Sequence, residues 1–256
     1  MMHIDNFILL QQEGHLMQGA FKSCFQTLRR TDNITQASLY SASFTYSIGI
    51  ERLLKIILLM DSWQRERKFL DNETLRKQGH HLDTLYANAR LLAQHYGLQW
   101  EAKYEPDQIS ADLLTFLSDF ANGNRYYNLN ALAGISKTED PIKKLERLLY
   151  RIFKADHKEG KDASFQKMLR HLHGPDQDPL LHNVVLAGSA SHLSWRLIKL
   201  LVLLRDLLLA LREQIHEADF ALQGPNANAD VPFMEEFLDF VCEDKDIILT
   251  GEDWPD

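Results

Sequence analysis

The chain has 256 residues, of which 45% are hydrophobic and 25% are charged, which is typical of a soluble globular protein. This length corresponds to one or two domains, and a core of this size folds without disulfides or structural metals. With 12 glycines, 7 prolines and two widely separated cysteines, the composition excludes a low-complexity, collagen-like or disulfide-rich chain.

The net charge of −8 comes from the C-terminal segment. Residues 230–256 contain ten acidic side chains and one basic side chain, whereas residues 137–170 contain ten Lys/Arg and six Asp/Glu. We interpret the basic stretch as the solvated face of an amphipathic helix, because a negative net charge is atypical of a strongly basic nucleic-acid binder. The acidic tail has two interpretations: it docks on the basic stretch, or it mimics nucleic acid.

The N-terminal residues lack the basic and long apolar regions of a signal peptide. The most apolar run, residues 197–211, contains Lys199, Arg205 and Asp206. A membrane-spanning helix needs about 20 apolar residues with few charges. The sequence therefore predicts a cytoplasmic protein without a membrane span.

Apolar residues recur at helical spacing along almost the whole chain, beginning with a helix over residues 5–30. A polar residue at position 32 or 33 is expected to cap a second helix. That helix carries one apolar face, formed by Tyr46, Ile50, Leu53, Leu54 and Ile57. Ser43, Ser47, Glu51 and Lys55 follow one another at steps of four and form a narrow polar stripe. We expect this helix to be central, with the stripe running through or beside the core.

Further helices are predicted over residues 81–95, from Asp107 onward, and from Asp140, where Pro141 occupies the first helical position. Residues 171–183 form a predicted loop, rich in Gly and Pro. The longest apolar helix is expected to begin at position 189 or 191 and to run through leucines at helical spacing to position 211. Its wide apolar face predicts either a central helix or a homodimer interface.

The chain is expected to close with a linker over 223–230, a short helix over 232–241 and a strand over 247–250. The predicted fold is therefore an all-α, multi-helix bundle with a long apolar C-terminal helix. Its expected divisions are a bundle over 1–135, additional helices over 136–222, and a linker with an acidic segment over 223–256.

The sequence predicts neither a metal site nor a cofactor. The pairs His80/His81 and His171/His173 do not supply the three or four ligands that zinc requires, and phosphate-binding and dinucleotide-binding glycine motifs are absent. Two segments remain of interest. Gly79 to Leu82 is interpreted as the start of a helix with surface histidines. Arg125 to Asn128 places an arginine beside two tyrosines after a helix break, which suits a phosphate or a stacked base, or a pairing of Arg125 with Asp119.

The helix around Glu51 and Lys55, the Gly79-His80-His81-Leu82 segment and Arg125 occur in an order that resembles the HEPN superfamily of small helical domains, over about residues 10–135. HEPN proteins include metal-independent ribonucleases of toxin–antitoxin and phage-defence systems, and they typically dimerise. The resemblance implies an R-x(4–6)-H site in which the arginine binds phosphate and the histidine transfers a proton.

At Arg125 the expected histidine is missing, because positions 130, 131 and 132 are Asn, Ala and Leu. Asn130 can form hydrogen bonds but cannot transfer a proton at neutral pH. Three other pairs match the spacing, which is no more than chance predicts for a chain with eleven histidines: Arg76 with His81, Arg90 with His95, and Arg151 with His157.

Three hypotheses follow. The first is a catalytically degenerate HEPN-like module that binds RNA, a nucleotide or a protein. The second is an active ribonuclease that uses Arg125 with His80 or His81. The third is an all-α homodimeric interaction protein without a small-molecule site. The candidate catalytic residues are Arg125, His80 and His81, and the candidate binding residues are Arg125, Tyr126, Tyr127, Asn130 and Glu51.

Overall fold

The computed structural model describes residues 2–29, 35–99, 102–135, 139–163, 179–224, 231–251 and 254–255. Within these ranges the protein is helical and contains no strand, which confirms the predicted all-α bundle. The helices are α1 (Met2–Arg29), α2 (Gln36–Glu66), α3 (Asn72–Lys77), α4 (Leu82–His95), α5 (Gln108–Ala121), α6 (Tyr127–Leu132), α7 (Pro141–Asp156), α8 (Lys158–Lys161), α9 (Pro179–Gln223) and α10 (Lys245–Thr250). Short 3-10 turns lie at Ala102–Tyr104, Asn124–Tyr126 and Met234–Leu238.

Side-chain caps set the starts of several helices. Asp107 accepts a hydrogen bond from Ser110 N at 2.9 Å, and Asp140 accepts one from Ile142 N at 2.9 Å, as the sequence predicts. The caps predicted at positions 32 and 33 lie outside the described residues. Thr35 is the residue that caps α2, in a reciprocal capping box with Ser38.

Helix α2 lies at the centre of the bundle, packed against α1, α4, α5 and α9. Tyr46 is fully buried, and its hydroxyl donates to the carbonyl of Leu197 at 2.8 Å. Ser43 and Ser47 are buried within the polar stripe, and their hydroxyls donate to carbonyls of their own helix. Glu51 continues the stripe to a half-buried position at the surface, so the stripe runs through and then beside the core.

The expected long apolar C-terminal helix is not found in that form. Helix α9 has 45 residues, begins before position 189, continues beyond 211 and is followed by further structure. It is also not apolar throughout, since buried Arg196 bonds to Asp107 and Asp156 at 2.6 Å. In the described part of the chain, no helix combines the length and apolar character needed to cross a membrane.

The apolar face of α9 is used within its own bundle. The following leucines are at most 3% exposed: Leu197, Leu200, Leu201, Leu204, Leu207, Leu208 and Leu211. This face is therefore central, and it does not provide a surface for a second copy. The homodimer itself stays a prediction, but the leucine face that motivated it is buried within the bundle.

The C-terminal segment differs from the expectation in secondary structure and in position. Residues predicted as a strand form α10, because Asp244 accepts a hydrogen bond from Asp246 N at 2.9 Å and caps a helix. The short helix predicted over 232–241 is a 3-10 turn. Both elements pack on α9 and the turn also packs on α1, rather than on the basic stretch of α7. The apolar side chains of this acidic segment, Met234, Leu238 and Ile248, are buried and so decide where it lies.

Replacing Leu204 with alanine is expected to lower the free energy of unfolding by about 2–5 kcal/mol, because the side chain is fully buried. Leu209→Ala, at a position 38% exposed on the same helix, is the matched control and is expected to cost about 1 kcal/mol or less. Urea unfolding measures both. Equal effects would contradict the central position of this face.

Candidate functional site

A cavity of about 700 Å³ lies beside α2 and is lined by residues from α1, α2 and α3 and from the turns before α4 and after α5. Its lining includes four of the predicted site residues: Glu51, His80, Arg125 and Tyr126. These residues come from three separate segments of the sequence. The fold therefore brings together the acidic, imidazole, guanidinium and phenol groups that the sequence singled out.

One wall of the cavity is a face of α2. Glu51 stands on this wall and is 20% exposed, and Lys55 donates a hydrogen bond to its carboxylate at 2.7 Å. His80 Nδ1 lies 2.9 and 3.0 Å from the two carboxylate oxygens. Burial alone raises the pKa of Glu51, but the hydrogen bonds and positive charges of Lys55 and His80 outweigh burial and lower the pKa below its usual value.

The contact with Glu51 determines which nitrogen of the His80 ring carries the hydrogen. An ionised carboxylate only accepts hydrogen bonds, so Nδ1 of His80 carries the hydrogen. In the neutral ring, Nε2 then carries the lone pair, and nothing in the described chain bonds to it. The side chain of His80 is 58% exposed, so Nε2 is accessible from the cavity and solvent. This geometry is that of a base whose orientation is set by a carboxylate.

A second part of the cavity lining is the turn after α5. Gly123 has φ +130°, a conformation that favours glycine, and the chain then continues into the 3-10 turn that holds Arg125. The Arg125 guanidinium lies 5.9 Å from the ring centre of Phe44 and 5.1 Å from that of Tyr126. Tyr40 Oη donates to the backbone carbonyl of Arg125 at 3.1 Å. Both the backbone and the side chain of Arg125 are therefore held in place.

The Arg125 side chain keeps unused donors. Its Nε is buried and makes no hydrogen bond to the described residues, and the guanidinium forms no ion pair with them. Asp119, the partner considered from the sequence, bonds instead to Lys144 at 2.7 Å. Tyr126 is 50% exposed and therefore does not belong to the hydrophobic core.

Arg67 and Arg212 also have buried N–H groups without a hydrogen bond, but each of them pairs with a carboxylate, Asp219 and Glu235 respectively. Arg125 has no such partner in the described residues, so its positive charge is not neutralised there.

Three predicted residues do not line the cavity. His81 is the residue before α4, and its Nδ1 contacts Asn122 at 3.0 Å. Tyr127 begins α6, and Asn130 is exposed on that helix. The structure thus separates His80 from His81 and Tyr126 from Tyr127, although each pair is adjacent in the sequence.

Two further residues of the wall were not identified from the sequence. Arg52 lines the cavity and pairs with Glu13 of α1, and Phe44 supports Arg125. The signal was the helical spacing of positions 44, 48, 51, 52 and 55, which places them on one side of α2. With His80 neutral, Arg52, Lys55 and Arg125 outnumber Glu13 and Glu51 by one positive charge, which favours an anionic ligand.

In the described ranges, no group of three or more His, Cys, Asp or Glu side chains is arranged to hold a metal ion, and His171 and His173 lie outside those ranges. Comparison with known proteins yields no matching family model, curated protein or solved structure. The relationship to HEPN proteins therefore stays a prediction.

Glu51→Gln is expected to lower the free energy of unfolding by about 1.5–3 kcal/mol at neutral pH, the value of a hydrogen bond to a charged group. Because the pKa of Glu51 is lowered in the folded state, its contribution is present above the unfolded pKa and is lost as pH falls through the folded pKa. The difference between variant and wild type should therefore fade below about pH 4.

Urea unfolding at neutral and acidic pH measures this difference. Glu73→Gln is the matched control, since its ion pair with Lys77 is exposed on both sides and contributes little. A Glu51→Gln effect that is the same at both pH values would contradict the ionised state of Glu51.

Proposed function

We propose that the chain is a HEPN-like helical binding module, catalytically degenerate, that holds the phosphate of an RNA or a nucleotide in the cavity beside α2. The observation that carries this proposal is the Arg125 Nε, which is buried at the cavity and lacks an acceptor within the described chain. A phosphate oxygen is a strong acceptor for a guanidinium group, and the pair is charge-assisted.

The surroundings of Arg125 support a nucleotide-type ligand. Tyr126 and Phe44 are partly exposed at the cavity and offer ring faces on which a base can stack. A volume of about 700 Å³ lies within the range of small-molecule sites, and the wall combines apolar side chains with a few polar groups. The excess of one positive charge adds an electrostatic preference for phosphate.

Arg125→Ala is expected to weaken binding of a labelled single-stranded RNA by about tenfold or more, because the main phosphate contact is removed. Fluorescence anisotropy in EDTA, with single-stranded and structured RNA, measures the affinity. Arg147→Ala removes an exposed arginine that does not line this cavity, and its affinity should stay within about twofold of wild type. Equal affinities for wild type and Arg125→Ala would contradict the proposed site.

The Glu51–His80 pair favours a second candidate, a metal-independent ribonuclease of HEPN type. Here His80 Nε2 removes the proton of the ribose 2′-hydroxyl, whose oxygen bonds to phosphorus as the bond to the 5′-oxygen breaks. The leaving 5′-oxygen takes a proton from water, Arg125 stabilises the phosphate, and Glu51 orients the ring. His80 takes the role that the histidine missing after Arg125 would have in the resembling family. Catalysis by one imidazole of this kind contributes about 10² to 10⁴ in rate.

For the ribonuclease candidate, RNA incubated with wild-type protein in EDTA should be cleaved, and His80→Ala should reduce the rate by about a hundredfold or more. His95→Ala, at the end of α4 and outside the cavity, should retain the wild-type rate. Binding without cleavage by wild type would contradict this candidate and leave the binding module.

A further inference from the structure

Asn122 connects the end of α5 to the turn that holds His80. It follows α5 directly and precedes Arg125 by three residues, and its backbone N–H donates to the Ser118 carbonyl at 3.0 Å. It does not line the cavity, and no sequence motif singles it out. Its position in the chain nevertheless makes it the last residue fixed by α5 before the turn that holds Arg125.

The side-chain amide of Asn122 contacts the turn that holds His80. Its Nδ2 lies 3.2 Å from the His80 carbonyl, 3.0 Å from His81 Nδ1 and 3.0 Å from the Ser118 carbonyl. Because the two carbonyls only accept hydrogen bonds, the NH₂ group must face them, and its two hydrogens are shared among the three acceptors. The amide therefore joins the end of α5 to the residues just before α4.

Backbone hydrogen bonds hold the residues on either side of His80, since Gly79 N donates to the Arg76 carbonyl at 3.0 Å and Leu85 N donates to the His81 carbonyl at 3.0 Å. Residues 79–81 include no buried residue, and Gly79 has φ +63°, the left-handed region. The His80 ring makes a hydrogen bond with Glu51, and Ser118 Oγ donates to Asp83, the second residue of α4, at 2.8 Å. The backbone of His80 itself is held by the Asn122 amide.

We propose that Asn122 is a positioning residue that sets the place of His80 relative to Arg125 in the cavity lining. Its side chain bonds to the backbone carbonyl of His80, and its own backbone lies three residues before Arg125, so Asn122 connects the two segments that carry these residues. The effect of Asn122 on ligand binding rests on the proposed function, whereas its effect on the position of His80 does not.

The exposure of Asn122 makes this inference testable without unfolding the protein. Asn122 is exposed, and hydrogen bonds of exposed side chains contribute little to the free energy of unfolding. Asn122→Ala and Asn122→Asp should therefore fold, which thermal unfolding verifies. The aspartate variant keeps the shape of the side chain but loses both N–H donors, so it must disturb the His80 turn as the alanine variant does.

The direct measurement is the NMR spectrum of the histidine rings in the full chain without ligand. Both Asn122 variants should shift the ring signals of His80, although the amide touches only the His80 backbone. Asn128→Ala is the matched control, because this exposed asparagine on α6 makes no side-chain hydrogen bond within the described residues. A change confined to His81, with His80 signals as in wild type, would overturn the proposal.

The second measurement is RNA affinity by fluorescence anisotropy, with a labelled single-stranded octanucleotide. Asn122→Ala should lower the affinity by about fivefold while Arg125 is unchanged, and Asn128→Ala should not lower it. If wild type binds no RNA, the proposed function fails and the His80 signals alone decide the role of Asn122. If wild type binds RNA and the Asn122 variants bind equally well, the positioning role fails and the binding site stands.

Discussion

The enclosure of α2 is the constraint on which the rest of the structure depends. Helices α1, α4, α5 and α9 surround it, so most of its circumference must be apolar and its polar residues are confined to one line. Inside the bundle, Ser43 and Ser47 satisfy their hydroxyls with carbonyls of the same helix. Glu51 cannot do this, because a carboxylate has only acceptors, and it must find donors where the stripe reaches the surface. Lys55 and His80 supply them, and the cavity forms around that group.

Two charged groups of the cavity lining, Glu51 and Arg125, are satisfied to different degrees. The Glu51 carboxylate has two cationic or imidazole partners, and its lowered pKa reflects them. Arg125 has aromatic neighbours, and a tyrosine holds its carbonyl, but its buried Nε lacks an acceptor in the described chain. A structural arginine of this fold looks different: Arg196 is buried between Asp107 and Asp156 and bonds to both. This contrast with an arginine that joins helices through two carboxylates is the reason that we propose a ligand for Arg125.

Local chemistry made much of this structure predictable from the sequence. The caps at Asp107 and Asp140 and the polar stripe of α2 were predicted because each depends on neighbours within one or two helical turns. The prediction of a strand over 247–250 was wrong. A run of three apolar residues has too little periodicity to distinguish a strand from a helix, and the cap at Asp244 favours the helix. Whether the leucine face of α9 packs within its own bundle or against a second copy depends on which helices surround it. The periodicity of the sequence does not contain that information. The same limit hid Asn122, whose role arises from a contact between distant segments, whereas Arg52 shares a helix side with Glu51 and could have been found from its spacing.

The NMR signal of the Arg125 Nε–H group tests the central claim most directly, because it reports on a buried donor that belongs to a cavity-lining residue and makes no hydrogen bond to the described residues. A single-stranded RNA octanucleotide would be titrated into isotopically labelled protein in EDTA while the arginine Nε–H resonances are recorded. If this account holds, the Arg125 resonance moves as RNA is added, whereas that of Arg196, already bonded to Asp156, keeps its position. An Arg125 resonance that stays in place while RNA binds would contradict the account and move the binding surface elsewhere.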